Sequence, residues 1–163
     1  MDFIEALLEE ISDVSAAEII DVAMEKWGEV EYDFGESRLG YPDFITDLMY
    51  IAYLDKAVHI SGLEYYILNC DKIMLQNTIH AFRKINDEED ANILEAISNM
   101  SEVRKFYAGK AKSLPESATG KIVLFETLMY FSLEQTNMWY LLEKYIERGI
   151  YSYSLLTKNG LKN

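Results

Sequence analysis

The stretch from Tyr53 to Ile97, YLDKAVHISGLEYYILNCDKIMLQNTIHAFRKINDEEDANILEAI, decides the fold of this chain. Inside it, the order Ser61-Gly62-Leu63-Glu64 has the form of a capping box. In such a box the Ser61 hydroxyl accepts from the backbone N–H of Glu64, and the Glu64 carboxylate accepts from the backbone N–H of Ser61. We therefore predict a tight corner at Ser61-Gly62, where one helix ends and a short one begins.

The segment after the corner is too apolar to form an exposed helix face. Residues Tyr65 to Leu68 are all bulky, so we expect most of them, Tyr66 included, to be buried between neighbouring helices. Asn69 tolerates a left-handed backbone conformation and is predicted to end the segment in that way. Two more helices should follow, one over Leu75 to Ile85 and one capped by Asn86-Asp87.

The ten residues from Ile60 to Asn69, ISGLEYYILN, align with a pattern like N-G-G-F-x-Q-Y-F-x-N. Gly62, Tyr66 and Asn69 match that pattern, and apolar residues replace its phenylalanines. In this corner the chain resembles the DNA-mimic-protein-like family of small bacterial proteins. The resemblance extends over about residues 42–149. It implies a homodimer as one assembly, and a mimic of DNA as one activity, since one member blocks a transcription factor from its operator.

Composition and charge exclude several classes of protein. The chain has 163 residues, 50% of them hydrophobic and 26% charged, which is typical of one globular domain. Its net charge of −13 disfavours direct binding to nucleic acids and to anionic membranes, and it attracts basic proteins. No apolar run reaches the roughly 18 residues that a membrane span needs. Acidic residues interrupt the apolar N-terminal run, and Cys70 is a single cysteine, so we expect a cytoplasmic protein without a secretory signal.

Helical periodicity continues on both sides of the central stretch. Ser15-x-x-Glu18 and Ser132-x-x-Gln135 are capping boxes, and Gly149 is predicted to end the last helix. Further helices are predicted over residues 1–13, 15–27, 42–60, 101–107 and 133–149, with a loop over 109–121, helix or irregular structure over 121–131, and an extension over 150–163. The sequence therefore predicts a single compact all-α domain of seven to nine helices, several of them short.

Negative charge is concentrated at the N-terminal end of the chain. Residues 1–36 hold 12 acids and 1 base, a net −11, whereas residues 37–163 hold 16 acids and 14 bases, a net −2. Like charges one helical turn apart repel each other by a few tenths of a kcal/mol, so a surface built only for solubility would intersperse lysines. The residues predicted to form a partner-binding acidic surface are Glu5, Glu9, Asp13, Glu18, Asp21 and Glu25.

We expect a non-enzymatic, acidic protein-binding module that competes for a basic surface on another protein. In its sharpest form it is a DNA mimic directed at a DNA-binding protein. The alternative is that the acidic face is an ordinary solvated surface without a binding function. An immunity-type protein that neutralises a toxin is a rival from another functional class, and an enzyme of unknown type is a lesser one.

Residues typical of catalysis or metal binding are sparse. His59 and His80 lack the spacing of metal ligands, and Cys70 has no neighbouring cation that would lower its pKa. We therefore predict no catalytic, metal-binding or cofactor-binding residue. Aromatic residues near the C-terminal end form either core, which we favour, or a self-association surface; they are Tyr130, Trp139, Tyr140, Tyr145, Tyr151 and Tyr153.

Overall fold

The structure, a computed structural model, describes residue 6 and residues 8–25, 41–136 and 138–158. These residues form one 3-10 helix and eight α-helices and no strand, which confirms the predicted all-α class. The 3-10 helix is Ile11–Asp13, and the α-helices are α1 (Ala16–Glu25), α2 (Asp43–Ser61), α3 (Leu63–Asn69), α4 (Lys72–Lys84), α5 (Glu88–Ser98), α6 (Ser101–Tyr107), α7 (Glu116–Thr136) and α8 (Met138–Lys158). None of these helices is both long and apolar enough to cross a membrane.

Helix α2 is the centre of the fold. It follows Pro42, and 12 of its 19 residues are buried. A helix that is apolar on all sides must be surrounded by other helices, and α2 packs against α1, α3, α4 and α8. Each large apolar side chain buried in this way contributes roughly 1.5–3 kcal/mol. The surrounding helices share one hydrophobic core with α2, and that core fixes their order around it.

The corner between α2 and α3 forms at Gly62, as predicted, but the predicted capping box is wrong. Ser61 is the last residue of α2, and Gly62 has φ 92° and ψ 165°, a conformation almost restricted to glycine. The backbone N–H of Leu63 donates to the carboxylate of Glu126 in α7 at 2.5 Å. The side chain of Glu126 therefore caps the start of α3, the role that the sequence predicted for Ser61.

Glu64, the other half of the predicted box, also bonds to α7. Its carboxylate accepts from the hydroxyl of Thr119 at 2.9 Å instead of reaching back to Ser61. Helix α7 thus holds the corner through two polar contacts, one at the α3 backbone and one at the α3 surface.

Asn69 ends α3 as predicted, but without the predicted left-handed backbone. Among the described non-glycine residues, a positive φ occurs at Asn86, not at Asn69. The side-chain amide of Asn69 donates to the carbonyl of Tyr65 at 2.8 Å. The chain then turns directly into α4, whose first turn is capped by Asp71, since its carboxylate accepts from the N–H of Met74 at 2.7 Å.

The predictions for α5 and α6 are confirmed. Asp87 is the N-cap of α5 and accepts from the backbone N–H of Asp90 at 3.2 Å. Asn86 precedes it with φ 68°, a left-handed conformation that asparagine tolerates better than most residues. The short helix predicted over residues 101–107 is α6.

Helix α7 replaces the predicted loop from residue 116 onward. The helical alternative for residues 121–131 is confirmed, because α7 runs unbroken through them. Ser132 and Gln135 lie within α7, so no helix begins there and the predicted capping box is wrong. No glycine or proline interrupts residues 121–136, so nothing in this stretch ends the helix before Ser132.

Gly149 lies inside α8 and does not end it, contrary to the prediction. Helix α8 continues to Lys158, so the predicted extension begins as part of this helix. A Cβ atom on Gly149 would lie 2.3 Å from Cγ of Phe44 in α2. Glycine is required here for close helix packing, because any side chain would overlap the Phe44 ring.

The C-terminal aromatic residues divide between core and surface. Tyr145 and Tyr153 pack against the core, as favoured from sequence. Trp139, Tyr140 and Tyr151 are 38%, 52% and 68% exposed, so the core prediction is wrong for these three. The side chain of Tyr130 lies outside the described residues.

Replacing Gly149 with alanine should lower the free energy of unfolding by about 1–3 kcal/mol, because the new methyl overlaps the Phe44 ring. The matched control is Gly120→Ala in α7, where a Cβ would meet nothing within 4 Å. That substitution should stabilise the protein by roughly 0.5–1 kcal/mol through helix propensity. Urea denaturation of both variants measures the difference, and a Gly149→Ala variant as stable as Gly120→Ala would contradict the packing described here.

Candidate functional site

Helix α1 carries the first part of the candidate site, and its predicted capping box is confirmed. The N–H of Ser15 donates to the Glu18 carboxylate at 2.9 Å, and the N–H of Glu18 donates to the Ser15 hydroxyl at 3.2 Å. The helix buries Ala16, Ile19, Ile20 and Ala23. Its opposite side exposes Glu18, Asp21 and Glu25 at three- and four-residue spacing, which places the three carboxylates on one side of the helix.

We call the exposed carboxylates on and before α1 the acidic face; its members are Glu9, Glu10, Asp13, Glu18, Asp21 and Glu25. The structure leaves five predicted site residues exposed, and they are Glu9, Asp13, Glu18, Asp21 and Glu25. Glu5 lies outside the described residues, and Glu10 is an exposed neighbour that the sequence did not single out. No described lysine or arginine forms an ion pair with any member of the face. Within the described residues, therefore, its negative charge is not neutralised by the helical body.

Among the described residues, the lysines and arginines that form ion pairs lie outside the acidic face. The pairs are Arg83 with Glu88 and Glu95, Lys84 with Asp47, and Lys144 with Glu147. Lys56 of α2 approaches α1, but its ammonium donates to the backbone carbonyl of Met24 at 3.2 Å. A cation at that end of a helix interacts favourably with the helix dipole and leaves the side-chain carboxylates of the face uncovered.

The residues predicted to form the corner contribute to the fold and do not form a binding surface. Tyr66 is completely buried, and its hydroxyl donates to Thr78 of α4 at 2.8 Å. Burial raises the pKa of the Tyr66 phenol, so it stays neutral. Ser61 is exposed at the end of α2, and Glu64 and Asn69 make the contacts described above. These residues shape the fold and do not converge on one binding surface.

Cys70 is buried next to Tyr107. The Tyr107 hydroxyl donates to the carbonyl of Ile67 at 2.8 Å and lies 3.2 Å from the Cys70 sulfur. Burial raises the pKa of the Cys70 thiol to about 11. Because the thiolate is the nucleophilic form, a thiol in this setting is inert at neutral pH.

Asp47 is the buried carboxylate with the strongest set of partners among the described residues. It is 4% exposed, accepts from the ammonium of Lys84 at 3.3 Å on both oxygens, and accepts from the hydroxyl of Tyr145 at 2.5 Å. Burial raises the pKa of the Asp47 carboxyl, while Tyr145 and Lys84 oppose that rise. Asp47 therefore connects α2, α4 and α8, and both of its carboxylate oxygens accept hydrogen bonds. This arrangement is typical of a residue that stabilises the fold.

The two histidines do not come together. His59 is exposed in the last turn of α2, with Nδ1 2.7 Å from the carbonyl of Asp55, and His80 is exposed on α4. Across the described ranges, no group of three or more histidine, cysteine or acidic residues could hold a metal ion.

Sequence reasoning missed a groove between α4 and α6. It encloses about 540 Å³, and its cationic lining residues are Lys72, Arg104, Lys105 and Lys110. Three of the four lie within residues 104–110, whereas Lys72 lies 32 residues before Arg104, so no single local motif predicts the groove. The sequence contains only a weak indication of the groove. Lysines and arginines recur between residues 104 and 121, whereas acidic residues outnumber them in the rest of the chain.

Comparison with protein-family models, with curated proteins and with solved structures gives no match to this chain. The resemblance to the DNA-mimic-protein-like family therefore stays a prediction that rests on Gly62, Tyr66 and Asn69. The homodimer that it implies stays a prediction as well.

Replacing Tyr145 with phenylalanine removes one donor from the Asp47 carboxylate. The folded-state pKa of Asp47 is already raised by burial, so its effect on stability becomes less favourable as pH rises through that pKa. Without Tyr145 the pKa rises further and this loss grows, because a hydrogen bond to an ionised carboxylate is stronger than one to a neutral acid. The variant should lose about 1.5–3 kcal/mol at neutral pH and about 1 kcal/mol near pH 3.5.

Denaturant titrations of wild type and Tyr145→Phe at the two pH values measure this difference. Tyr151→Phe is the matched control, since Tyr151 is 68% exposed and its replacement should change stability by less than about 0.5 kcal/mol. A loss at Tyr145 that is equal at both pH values would show that Asp47 is not the partner that matters.

Proposed function

We propose that this protein is a non-enzymatic binding protein of the cytoplasm whose acidic face engages a basic surface on another protein. The supporting observation is the set of six exposed carboxylates that form no ion pair with a described lysine or arginine. A chain with a net charge of −13 also attracts cationic partners over a long range and speeds their association.

The spacing of the acidic face indicates which basic surfaces it fits. Glu18 and Glu25 are seven residues apart, or about 10.5 Å along the helix, and Asp21 lies between them. Duplex DNA carries one charge per about 1.7 Å of axis, or about six over the same length. Helix α1 thus supplies about half the linear charge density of DNA, and the exposed acids Glu9, Glu10 and Asp13 precede it in the chain. This density supports partial imitation of DNA, directed at a DNA-binding protein.

Salt dependence separates this proposal from the toxin-neutralising alternative. Contacts between exposed charges weaken as the Debye length falls from about 10 Å at 0.1 M salt to about 3 Å at 1 M. A plug that fills the active site of a toxin would bury its contacts, and buried contacts are screened much less. A complex formed by the acidic face should therefore dissociate at high salt.

The test compares two variants that change the net charge by the same amount. In the face variant, Glu9→Gln, Asp13→Asn, Asp21→Asn and Glu25→Gln neutralise four of the six carboxylates of the acidic face. Glu10 is left unchanged, and Glu18 is kept because its carboxylate caps α1. In the control variant, Asp43→Asn, Glu88→Gln, Glu116→Gln and Glu147→Gln neutralise four exposed acids on other helices. Circular dichroism should show unchanged helical content in both.

Each immobilised full-length protein is exposed to a cytoplasmic extract of the source cells, and bound proteins are quantified by mass spectrometry at low and high salt. Wild type and the control variant should retain a basic protein that the face variant retains at least about 10-fold less, which corresponds to roughly 1.4 kcal/mol. High salt and added duplex DNA should both release it. Equal retention by the face and control variants, or a partner that resists salt, would refute the proposal.

A further inference from the structure

The groove between α4 and α6 concentrates positive charge on a strongly acidic protein. Its wall consists of Lys72, Leu75 and Gln76 from α4, Ser98 and Asn99 at the end of α5, Arg104, Lys105 and Tyr107 from α6, and Ala108 and Lys110 beyond it. Four of these ten residues are cationic and none is acidic, although the chain as a whole has a net charge of −13.

The four cations of the groove are available to a ligand. Lys72, Arg104, Lys105 and Lys110 are all exposed, and none forms an ion pair within the part of the chain that the structure describes. This contrasts with Arg83, whose guanidinium lies 2.6 Å from the Glu95 carboxylate. Like charges that converge without counter-charges repel one another, so an anion in the groove would relieve a repulsion that the free protein carries.

The acids closest to these cations in sequence are Asp71 and Glu102. The Asp71 carboxylate accepts from the N–H of Met74 and caps α4. The pKa of Glu102 is lowered first by a backbone hydrogen bond and then by Lys121, Ser101 and Lys105. Glu102 thus interacts electrostatically with Lys105, one of the groove cations, but it does not line the groove. The lining residues carry four positive charges and no negative one.

The size and lining of the groove define the class of ligand. A volume of about 540 Å³ lies inside the range of small-molecule pockets, roughly 300–1,000 Å³. Arg104 can bind a phosphoryl group through two parallel hydrogen bonds, and lysines contribute as point charges. A terminal phosphoryl group carries about −1.5 to −2 charges at neutral pH, so one such group leaves part of the charge of four cations unmatched, and a second phosphoryl group beside it completes the match. The amides of Gln76 and Asn99 add neutral donors, and the half-buried ring of Tyr107 offers an apolar wall for an organic moiety.

We propose that this groove binds a small organic diphosphate, with Arg104, Lys105, Lys72 and Lys110 holding the two phosphoryl groups. A long nucleic acid is a poorer match, because its charge would extend past the groove over a protein that repels it. The site is on different helices from the acidic face, and it does not depend on the function proposed above.

Isothermal titration calorimetry of the full-length protein tests the assignment with inorganic phosphate, inorganic pyrophosphate and adenosine diphosphate as probes. Pyrophosphate should bind at least about 10-fold more tightly than phosphate, because two phosphoryl groups engage four cations where one engages two. Adenosine diphosphate should bind at least as tightly as pyrophosphate, since the apolar wall contacts its organic part. A short single-stranded RNA should bind more weakly than adenosine diphosphate.

Two matched double variants locate the binding. Arg104→Gln with Lys105→Gln should weaken pyrophosphate binding at least about 10-fold. Arg148→Gln with Lys144→Gln removes the same charges from exposed positions on α8 and should change it less than about twofold. All four side chains are exposed, so both proteins should fold, and Lys110→Gln in the loop after α6 provides an independent single variant that should also weaken binding.

No measurable binding of pyrophosphate and adenosine diphosphate at millimolar concentration would overturn the proposal. Equal losses in the two double variants would overturn it as well, because binding would then follow total charge and not the groove. Tighter binding of RNA than of adenosine diphosphate would reject the small-molecule assignment.

Discussion

The carboxylate of Glu126 reaches from α7 to the backbone N–H of Leu63, and the corner of the fold depends on this contact. Gly62 turns the chain with φ 92° and ψ 165°, and the first N–H groups of α3, like those of any α-helix, have no acceptor within the helix. Glu126 supplies one acceptor, so the start of α3 and the position of α7 are fixed together. Tyr66 can then be buried completely, with its hydroxyl bonded to Thr78 of α4.

The sequence predicted those helix ends that local chemistry decides. The capping box at Ser15 and Glu18 and the N-cap at Asp87 form as expected, because the donor and acceptor are three residues apart and need no other helix. The sequences at Ser61 and Ser132 have the same capping-box pattern, but neither box forms. At Ser61 a tertiary contact from α7 replaces the local one, whereas at Ser132 the helix that began at Glu116 continues without a break.

The features proposed to matter for function also divide into those that local sequence predicts and those that only tertiary packing creates. The exposure of Glu18, Asp21 and Glu25 could be predicted, because their helical spacing and the buried residues between them assign them to the solvent side of α1. The cationic groove could not, because Lys72 and Lys110 are far apart in sequence and meet only through the packing of α4 and α6. The net charge of the chain did not indicate the groove either, because a value of −13 says nothing about a local excess of positive charge.

Replacement of Glu126 tests most directly whether a distant side chain holds the corner. Glu126→Ala should lower the free energy of unfolding by about 1–2 kcal/mol, as the loss of an N-cap does, and Glu126→Gln should cost less because its amide oxygen still accepts. Ser61→Ala, at an exposed position, should change stability by less than about 0.5 kcal/mol. A large loss at Ser61 with none at Glu126, measured by urea denaturation, would show that the local box closes the corner and would contradict this account.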